Sequence, residues 1–438
     1  MKKVLVYGNG KSGKAVTKLL NKKKYIVDII DDRIGYDKDE ILKKIGNYEF
    51  IVKSPGISNE NLLIDILNKK RIKILDETEV AAKYIDNSKI IAITGTNGKT
   101  TTTTKITEML NFAGYKAISA GNIGVPFSEI IEKEKEYDYI VLELSSYQLE
   151  YIDEMNPFIA MVINLTPDHM NRYESLESYY STKFNIFKNQ TKEEHSIINL
   201  DDENSGSILK KLNIESEMLT VTKGDRLTEK ADLYVKDDLL FYKNENILDI
   251  NKLTLKGIPN LENTLFIVGV AKIIGIKNSI IKEFLYNNKG LEHRMEEFLK
   301  IKNTVFINDS KGTNTDSTIK ALQGYKERIT LICGGKDKKL DLVPLCNEIL
   351  RHTKEVYLIG ETKQLLEKIL IKIGYDKNKI YNLEILENVI KKLKENLDIN
   401  KKNIVVFSPA ASSFDQFNSF EERGKIFKKL VMENFMEE

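Results

Sequence analysis

Cysteine is scarce in this 438-residue chain, with only Cys333 and Cys346 present, which excludes a disulfide framework and a four-cysteine zinc site. The two suit a reducing compartment and read as buried apolar fillers. Proline is also scarce, at 7 residues, and there is no low-complexity linker, so domain boundaries follow only from where one set of motifs ends and the next begins. Charge of one sign is missing as well: 67 basic against 65 acidic residues leave a formal net charge of +2. Such a chain has no global field to recruit nucleic acid or anionic lipid, and any anion site must be local. No run approaches the ~18 consecutive apolar residues that a membrane span needs. The opening MKKVLVYGNG is interrupted by Gly8 and lacks a cleavage pattern, so it reads as a first strand rather than a signal. The expectation is a cytoplasmic monomer with no nucleic-acid or membrane partner.

What is present is an alternation of short β-branched runs with longer lysine-rich amphipathic segments. The runs are Val4 to Tyr7, Ile26 to Ile30, Phe50 to Val52, Ile90 to Thr94, Tyr139 to Leu142 and Met161 to Asn164, followed later by Ile329 to Cys333, Val356 to Ile359 and Ile404 to Ser408. This pattern predicts an α/β protein with mostly parallel sheets covered by helices. At 438 residues the chain is too long for one core and divides into three expected domains, residues 1–88, 89–290 and 291–438. The stretch from about Gly224 to Lys256 alternates strand-like pieces with polar turns and predicts a small antiparallel side sheet.

Gly8-Asn9-Gly10-Lys11-Ser12-Gly13 follows the first strand and opens a helix, and Asp31 ends the second strand, the arrangement of a Rossmann-like dinucleotide site. The same turn also serves simply to pack a helix on a sheet, or to hold the phosphates of a UDP-linked substrate at the helix N-terminus. In that last reading Asp31, Asp32 and Arg33 line the nucleoside end, and Ser54-Pro55-Gly56 closes the site.

A second glycine turn, Gly95-Thr96-Asn97-Gly98-Lys99-Thr100, joins the strand at Ile90 to Thr94 to a helix that begins at Thr101. Backbone N–H groups and the helix dipole converge there on one point suited to a triphosphate. Lys99 pairs with the β and γ phosphates and the Thr100 hydroxyl binds the bridging Mg²⁺ in such a loop. Ile93 stands where the strict G-x-x-x-x-G-K-[ST] pattern has its first glycine. A polar loop that merely caps a helix has no need of a lysine and a threonine directly after the second glycine.

Glu143 begins the polar cluster ELSSYQLE at the end of a parallel strand, the edge at which α/β sheets bind ligands, and is placed to reach a metal. Asn164 to Tyr173 follows another strand and supplies His169, one of only 4 histidines. Glu143 and His169 are candidate ligands for Mg²⁺, although that ion prefers oxygen and His169 has an alternative role through water or substrate. Lys183 is, by composition, one solvated lysine among many.

Taken in order, GTNGKT, LELSSYQLE, NLTPDHMNRY, LEHRMEEF, NDSKGTNTDST and SPAASSFDQFNSFEERG closely resemble the Mur ligase family, and LELSSYQLE and SSFDQFNSFEERG resemble its D-glutamate-adding branch. The resemblance runs from Gly8 to about Gly424. It implies an N-terminal Rossmann-like domain for the UDP end of the substrate, a central P-loop ATPase-like domain for ATP and Mg²⁺, and a C-terminal Rossmann-like α/β domain for the amino acid. The implied reaction activates the carboxylate of UDP-N-acetylmuramoyl-L-alanine as an acyl phosphate, which the amine of D-glutamate then attacks.

The resemblance also implies roles for single residues. Lys183 matches a lysine carbamylated by CO₂ that supports a second Mg²⁺, giving a metal set of Thr100, Glu143, His169 and Lys183. Asn122 and His169 match positions near the muramoyl substrate, beside Ser12, Gly13, Asp31, Asp32, Arg33 and Ser54. Asn260, Asn263, Arg294 and Asp309 match the ATP site together with Gly95 to Thr101, although Arg294 also has Glu296 and Glu297 nearby for a surface ion pair. Lys311, Thr313, Ser413, Phe414 and Phe420 match positions around D-glutamate, where lysines and hydroxyls hold carboxylates; the two phenylalanines serve equally well as core packing. In GGKDKKLDL the loop offers Lys336, Lys338 and Lys339, of which Lys338 is favoured. Gly312 stands where Ala is commoner in the family, and Phe414 where Leu is frequent. A sister ligase or a folylpolyglutamate synthase is the nearest rival, disfavoured by SFDQF. A nucleotide-dependent binding protein or dehydrogenase is the rival of another class, and it leaves NDSKGTN unexplained.

Overall fold

The computed structural model describes residues 2–168, 172–255, 257–288 and 290–436, and His169 lies outside them. Among the described residues the strands form three sheets, as the alternating pattern predicts for an α/β chain. The chain divides into two compact units, Met1–Lys252 with Glu262–Tyr286, and Leu253–Leu261 with Asn287–Glu438. Among the described residues no helix is long and apolar enough to cross a membrane.

In the first unit a four-stranded parallel sheet has the order Ile26–Ile30, Lys3–Tyr7, Phe50–Lys53, Ile74–Leu75. Val4 through Tyr7 are buried without alternation, which is how a strand covered on both faces reads. A second sheet runs Ala117–Gly121, Tyr139–Glu143, Lys89–Thr94, Ile159–Val162, His195–Asn199, Glu217–Thr222 in parallel. It continues through Leu233–Lys236 into the antiparallel pieces Leu239–Tyr242 and Glu245–Asp249. The antiparallel stretch expected after Gly224 therefore extends the main sheet instead of standing apart, because Val221 and Thr222 pair in parallel with Leu233 and Tyr234.

One strand window is displaced. The run Met161 to Asn164 predicts a strand there, whereas the strand is Ile159–Val162. Ile163 and Asn164 leave the ladder to bond the glycine turn beside it: Ile163 N donates to the Thr94 carbonyl at 2.9 Å and Thr96 N to the Asn164 carbonyl at 2.8 Å.

The two sheets of this unit are joined by buried acids. Glu79, wholly buried, accepts the consecutive backbone N–H groups of Asp153, Glu154 and Met155 at 3.1, 2.9 and 3.0 Å. The neighbouring Glu77 accepts from the Ser128 amide. Asp76 caps the helix Glu77–Ala82 through the Thr78 amide at 2.9 Å, satisfying donors that a helix start leaves open.

The second unit holds a six-stranded sheet in the order Glu296–Ile301, Thr304–Asn308, Asn403–Phe407, Ile329–Gly334, Thr353–Ile359, Ile380–Glu384. Only the first pair is antiparallel. Cys333 and Cys346 are free and buried, in the core with Leu331, Leu358 and Val406, so they are fillers as expected.

Lys53 is the least comfortable residue of the first unit. It is 1% exposed, its ammonium lies 4.9 Å from the Tyr151 ring centroid, and it has no hydrogen-bond partner among the described residues. Burial, then the nearby Arg172, push its pKa down to about 8, against the pull of Glu150 and Asp76. A lysine depressed in the folded state destabilises below that value, and the cost is relieved as pH rises toward the unfolded value. Lys53→Met, similar in volume and uncharged, is expected to stabilise the protein at pH 7 by on the order of 3 kcal/mol. The gain should fall to less than about half at pH 9.5; urea unfolding midpoints at the two pH values check both statements.

Candidate active site

Gly95 and Gly98 shape the phosphate-type turn. Gly98, at φ +84°, is the residue before the helix Lys99–Phe112, and a Cβ there would lie 2.4 Å from Asn263 Oδ1. Gly95, at φ +149°, leaves room for Ile163 and Asn164, whose atoms a Cβ would meet at 3.2 and 3.3 Å. Asn263 also accepts from the Thr102 hydroxyl at 3.2 Å, so the helix Ile258–Ile274 that carries Asn260 and Asn263 brings the second of these against the turn. Thr96 and Asn97 are fixed by the segment after Val162: Thr96 Oγ1 accepts from Thr166 N at 3.0 Å and Asn97 N donates to Asn164 Oδ1 at 2.9 Å. Thr100 and Thr101 open the helix, Thr100 half-buried and Thr101 buried.

Two ammonium groups meet at this turn. Lys99 Nζ donates to the carbonyls of Gly95 and Thr96, each at 2.9 Å, and Lys183 Nζ donates to the same Gly95 carbonyl at 2.9 Å. Lys183 is 2% exposed, not the solvated lysine that composition suggests. Burial first, and then the positive charge of Lys99, hold its pKa well below the usual lysine value, with Asp168 and Glu143 acting in the opposite sense.

Glu143, the last residue of its strand, is also 2% exposed. Its Oε1 accepts from Asn122 Nδ2 at 2.8 Å, while Oε2 is buried with no hydrogen-bond partner among the described residues. A buried carboxylate oxygen left without a donor costs of order 1–3 kcal/mol or more, and a cation relieves it. The chemistry of Glu143, an oxygen donor at a strand end, fits a hard divalent ion such as Mg²⁺, which takes few protein oxygens.

Beside Asn122 lies a cleft of about 680 Å³ between the two sheets of the first unit. Its lining includes Ser12, Asp31, Asp32, Arg33, Ser54 and Asn122, which brings together six of the residues expected at the UDP end. Gly13 sits behind this rim, where a Cβ would be 1.8 Å from the Gly8 carbonyl. Asp31 is spent within the loop: Oδ2 accepts from Asn9 N at 2.7 Å and Oδ1 from Arg33 N and Nε at 3.0 and 2.9 Å. The Arg33 guanidinium first, with those amides, holds its carboxyl far below the usual carboxylate range.

In the second unit, Asp309 is buried and accepts from Ser408 Oγ at 2.7 Å and Met295 N at 3.2 Å. Burial pushes its pKa up to about 6, against those bonds and the charge of Arg294. The ion pair considered between Arg294 and Glu296 competes with Lys428, which holds Glu296 at 2.6 Å. Gly312 has a physical reason: a Cβ would be 2.6 Å from Asp309 Oδ2 and 2.8 Å from Ser408 Oγ. Lys311 Nζ lies 3.8 Å from the Phe420 ring centroid. Phe414 is 72% exposed, which removes it from core packing, and Ser413 is buried beside it. Thr313 is half-buried. Of the three loop lysines, Lys336 is tied to Glu361 at 2.6 Å and Lys339 has a side chain 90% exposed; Lys338 is half-buried.

Sequence reasoning gave no role to Arg172 or Arg423. Arg172 NH1 donates to the Pro55 carbonyl at 2.8 Å and NH2 to Glu150 at 3.0 Å, with the guanidinium 3.8 Å over the Tyr147 ring. It thereby holds the Ser54-Pro55-Gly56 wall of the cleft. Arg423, 1% exposed, donates to the Ser310 carbonyl at 2.8 Å and the Ala411 carbonyl at 3.1 Å, pinning the loops that carry Lys311 and Ser413. Both arginines stand inside motif strings, but the Pro55 and Ser310 carbonyls that they hold are 117 and 113 residues away along the chain.

Comparison with known proteins identifies the family. Residues 93–271 match the model of the Mur ligase middle domain, and residues 293–411 that of the Mur ligase glutamate ligase domain. A UDP-N-acetylmuramoylalanine--D-glutamate ligase of Fusobacterium nucleatum is 47% identical over 439 residues, covering 99% of this chain and 100% of the relative. A ligase of the same name from Clostridioides difficile is 36% identical over 98% of each chain. Among solved structures, UDP-N-acetylmuramate-alanine ligase MurC of Thermotoga maritima aligns with a TM-score of 0.60 at 16% identity, over 99% of this chain and 100% of that one. MurF of Acinetobacter baumannii aligns at 0.62 and 15% identity, over 90% and 87%; these two show the shared fold. The chain belongs to the Mur ligase family, whose members are ATP-dependent, amide-bond-forming ligases.

Gly98→Ala brings a Cβ to 2.4 Å from Asn263 Oδ1 at a left-handed φ. It is expected to weaken ADP binding by roughly tenfold or more, an energy of about 1.4 kcal/mol that the backbone strain alone can supply. Isothermal titration of the folded variant checks this, and wild-type affinity would refute it.

Proposed function

We propose that this chain joins D-glutamate to UDP-N-acetylmuramoyl-L-alanine at the expense of ATP, giving ADP and phosphate, as a cytoplasmic, monomeric enzyme of peptidoglycan precursor synthesis. The reading is supported by the names of the full-length relatives and, within the molecule, most directly by the Asn122–Glu143 bond. That bond links the wall of the UDP-type cleft to the carboxylate beside the phosphate turn. In this reading residues 1–88 bind the UDP end, 89–290 bind ATP, and 291–438 bind the amino acid.

The substrate carboxylate is a poor electrophile until one of its oxygens becomes part of a leaving group. It attacks the γ-phosphorus of ATP, the bond to the ADP oxygen breaks, and an acyl phosphate results. The D-glutamate amine then attacks the acyl carbon, loses a proton and expels inorganic phosphate. Negative charge concentrates in both steps, so the residues at the turn work by charge and position. Lys99, with the backbone of Gly95 to Thr101 and with Asn263, holds the nucleotide, and the resemblance assigns Asn260, Arg294 and Asp309 to ATP as well. Ser12, Gly13, Asp31, Asp32, Arg33, Ser54 and Asn122 hold or shape the UDP end, and the resemblance assigns His169 to the same substrate. Lys311, Thr313, Lys338 and Ser413 take the D-glutamate carboxylates, flanked by Phe414 and Phe420.

Mg²⁺, when bound, would offset phosphate charge, with Thr100, Glu143, His169 and Lys183 as the residues holding it. For Lys183 this requires carbamylation: the neutral amine adds to CO₂, and the proton leaves to solvent. Burial and the neighbouring Lys99 favour the neutral amine, which is the nucleophilic form.

Phosphate release from ATP in the presence of UDP-N-acetylmuramoyl-L-alanine is expected to require D-glutamate and to be absent with L-glutamate, L-lysine or no amino acid. Lys183→Ala should lower the rate by roughly 10²-fold or more, the usual size of an electrostatic stabiliser's loss. Release supported by another amino acid would move the chain to a sister activity, and none at all would overturn the ligase reading.

A further inference from the structure

Glu262 is a buried carboxylate, 6% exposed, next in sequence to Asn263 and outside the machinery described so far. Its Oε2 accepts from Asn164 Nδ2 at 3.0 Å. Its Oε1 accepts from Asn199 Nδ2 at 3.1 Å and Lys223 Nζ at 3.2 Å. The Asn164 amide, 4% exposed, makes two bonds to the phosphate turn: its oxygen accepts from Asn97 N at 2.9 Å, and its nitrogen donates to the Asn97 carbonyl at 3.2 Å. The side chain thus pairs with the turn as a neighbouring strand would.

The two ends of a primary amide are nearly equal in size, so shape alone does not set which end faces which partner. A reversed Asn164 would set its NH₂ against the Asn97 N–H and its oxygen against both the Asn97 carbonyl and the Glu262 carboxylate. An ionised carboxylate only accepts hydrogen bonds, and it therefore admits one orientation. Asn199 holds that carboxylate while also donating to the Ile163 carbonyl at 2.9 Å, and Asp201 holds Lys223 at 3.5 Å.

We propose that Glu262 is a positioning residue for nucleotide binding, acting through the Asn164 amide to fix the backbone of the phosphate turn. This rests on the reading that the turn binds ATP. A glutamine at this position accepts on one side only, so its NH₂ faces either Asn164 or the Lys223 and Asn199 donors, and one conflict remains in each case.

The test is a double-mutant cycle on ADP affinity, measured by isothermal titration of the full chain, with thermal midpoints recorded for each variant. Glu262→Gln is expected to weaken ADP binding by about tenfold in the wild-type background and by less than about twofold in the Asn164→Ala background, with the KM for the UDP-linked substrate unchanged. A purely structural carboxylate would instead lower the thermal midpoint and move both substrates alike. Should the Gln variant not fold, Glu262→Asp, too short to reach Asn164, gives the same reading. Wild-type ADP affinity in the variant, or equal weakening in both backgrounds, overturns the inference while leaving the nucleotide site intact. Failure of the wild type to bind ADP overturns the nucleotide reading and this inference with it.

Discussion

Two lysine ammonium groups compete for one carbonyl oxygen at the glycine turn of the first unit. Lys99 and Lys183 both donate to the Gly95 carbonyl at 2.9 Å, one from the helix after the turn and the other from the helix Leu176–Phe184. Like charges this close in a buried setting repel strongly, so the arrangement is relieved when one amine gives up its proton or when a polyanion arrives. Its surroundings fit both outcomes. Asp168 and Glu143 counter the charge on Lys183, while one oxygen of Glu143 has no hydrogen-bond partner among the described residues. The glycine at 95, the departure of Ile163 and Asn164 from their ladder, and the amide pairing at Asn97 all serve to hold that carbonyl where both lysines reach it.

The same device, a glycine turn between a parallel strand and a helix, occurs in both sheets of the first unit with different results. In the four-stranded sheet the turn at Gly8 is closed by its own side chains, since Asp31 is consumed by Asn9 and Arg33. That leaves Ser12, Ser54 and the Asp32–Arg33 edge facing the cleft. The acidic residue that a dinucleotide fingerprint assigns to a ribose is here a brace for the loop. Beneath the wall of the same cleft, Lys53 and Arg172 are two neighbouring cations that share Glu150, with Asp76 also countering the charge of Lys53.

The sheet layout was largely legible because a strand covered on both faces is a continuous apolar run and a turn announces itself by glycine. The two glycine turns and Glu143 were singled out because each stands at a strand end, where local order determines position, whereas Asn122 was named by resemblance. Met161 to Asn164 was misplaced because Asn164 is polar for the sake of a turn 67 residues earlier. Glu262, Arg172 and Arg423 were not legible for the same reason: an interior charge acquires its meaning from acceptors and donors far along the chain, 98 residues in the case of Glu262 and Asn164. Lys183 depended on resemblance, since nothing in its neighbours along the chain announces that it is buried.

Glu79 bears on how this protein came to be divided. A carboxylate that gathers three consecutive backbone N–H groups from Asp153 to Met155 belongs to the first sheet by sequence and to the second by bonding. A chain ending at residue 88 would keep its four strands yet strip that carboxylate of every donor, and would uncover the Ser128 partner of Glu77. The nucleotide-handling sheet, made alone, would lose the acceptor for a turn of its own backbone. The two sheets are therefore interlocked: a chain cut between them leaves buried polar groups without partners on both sides.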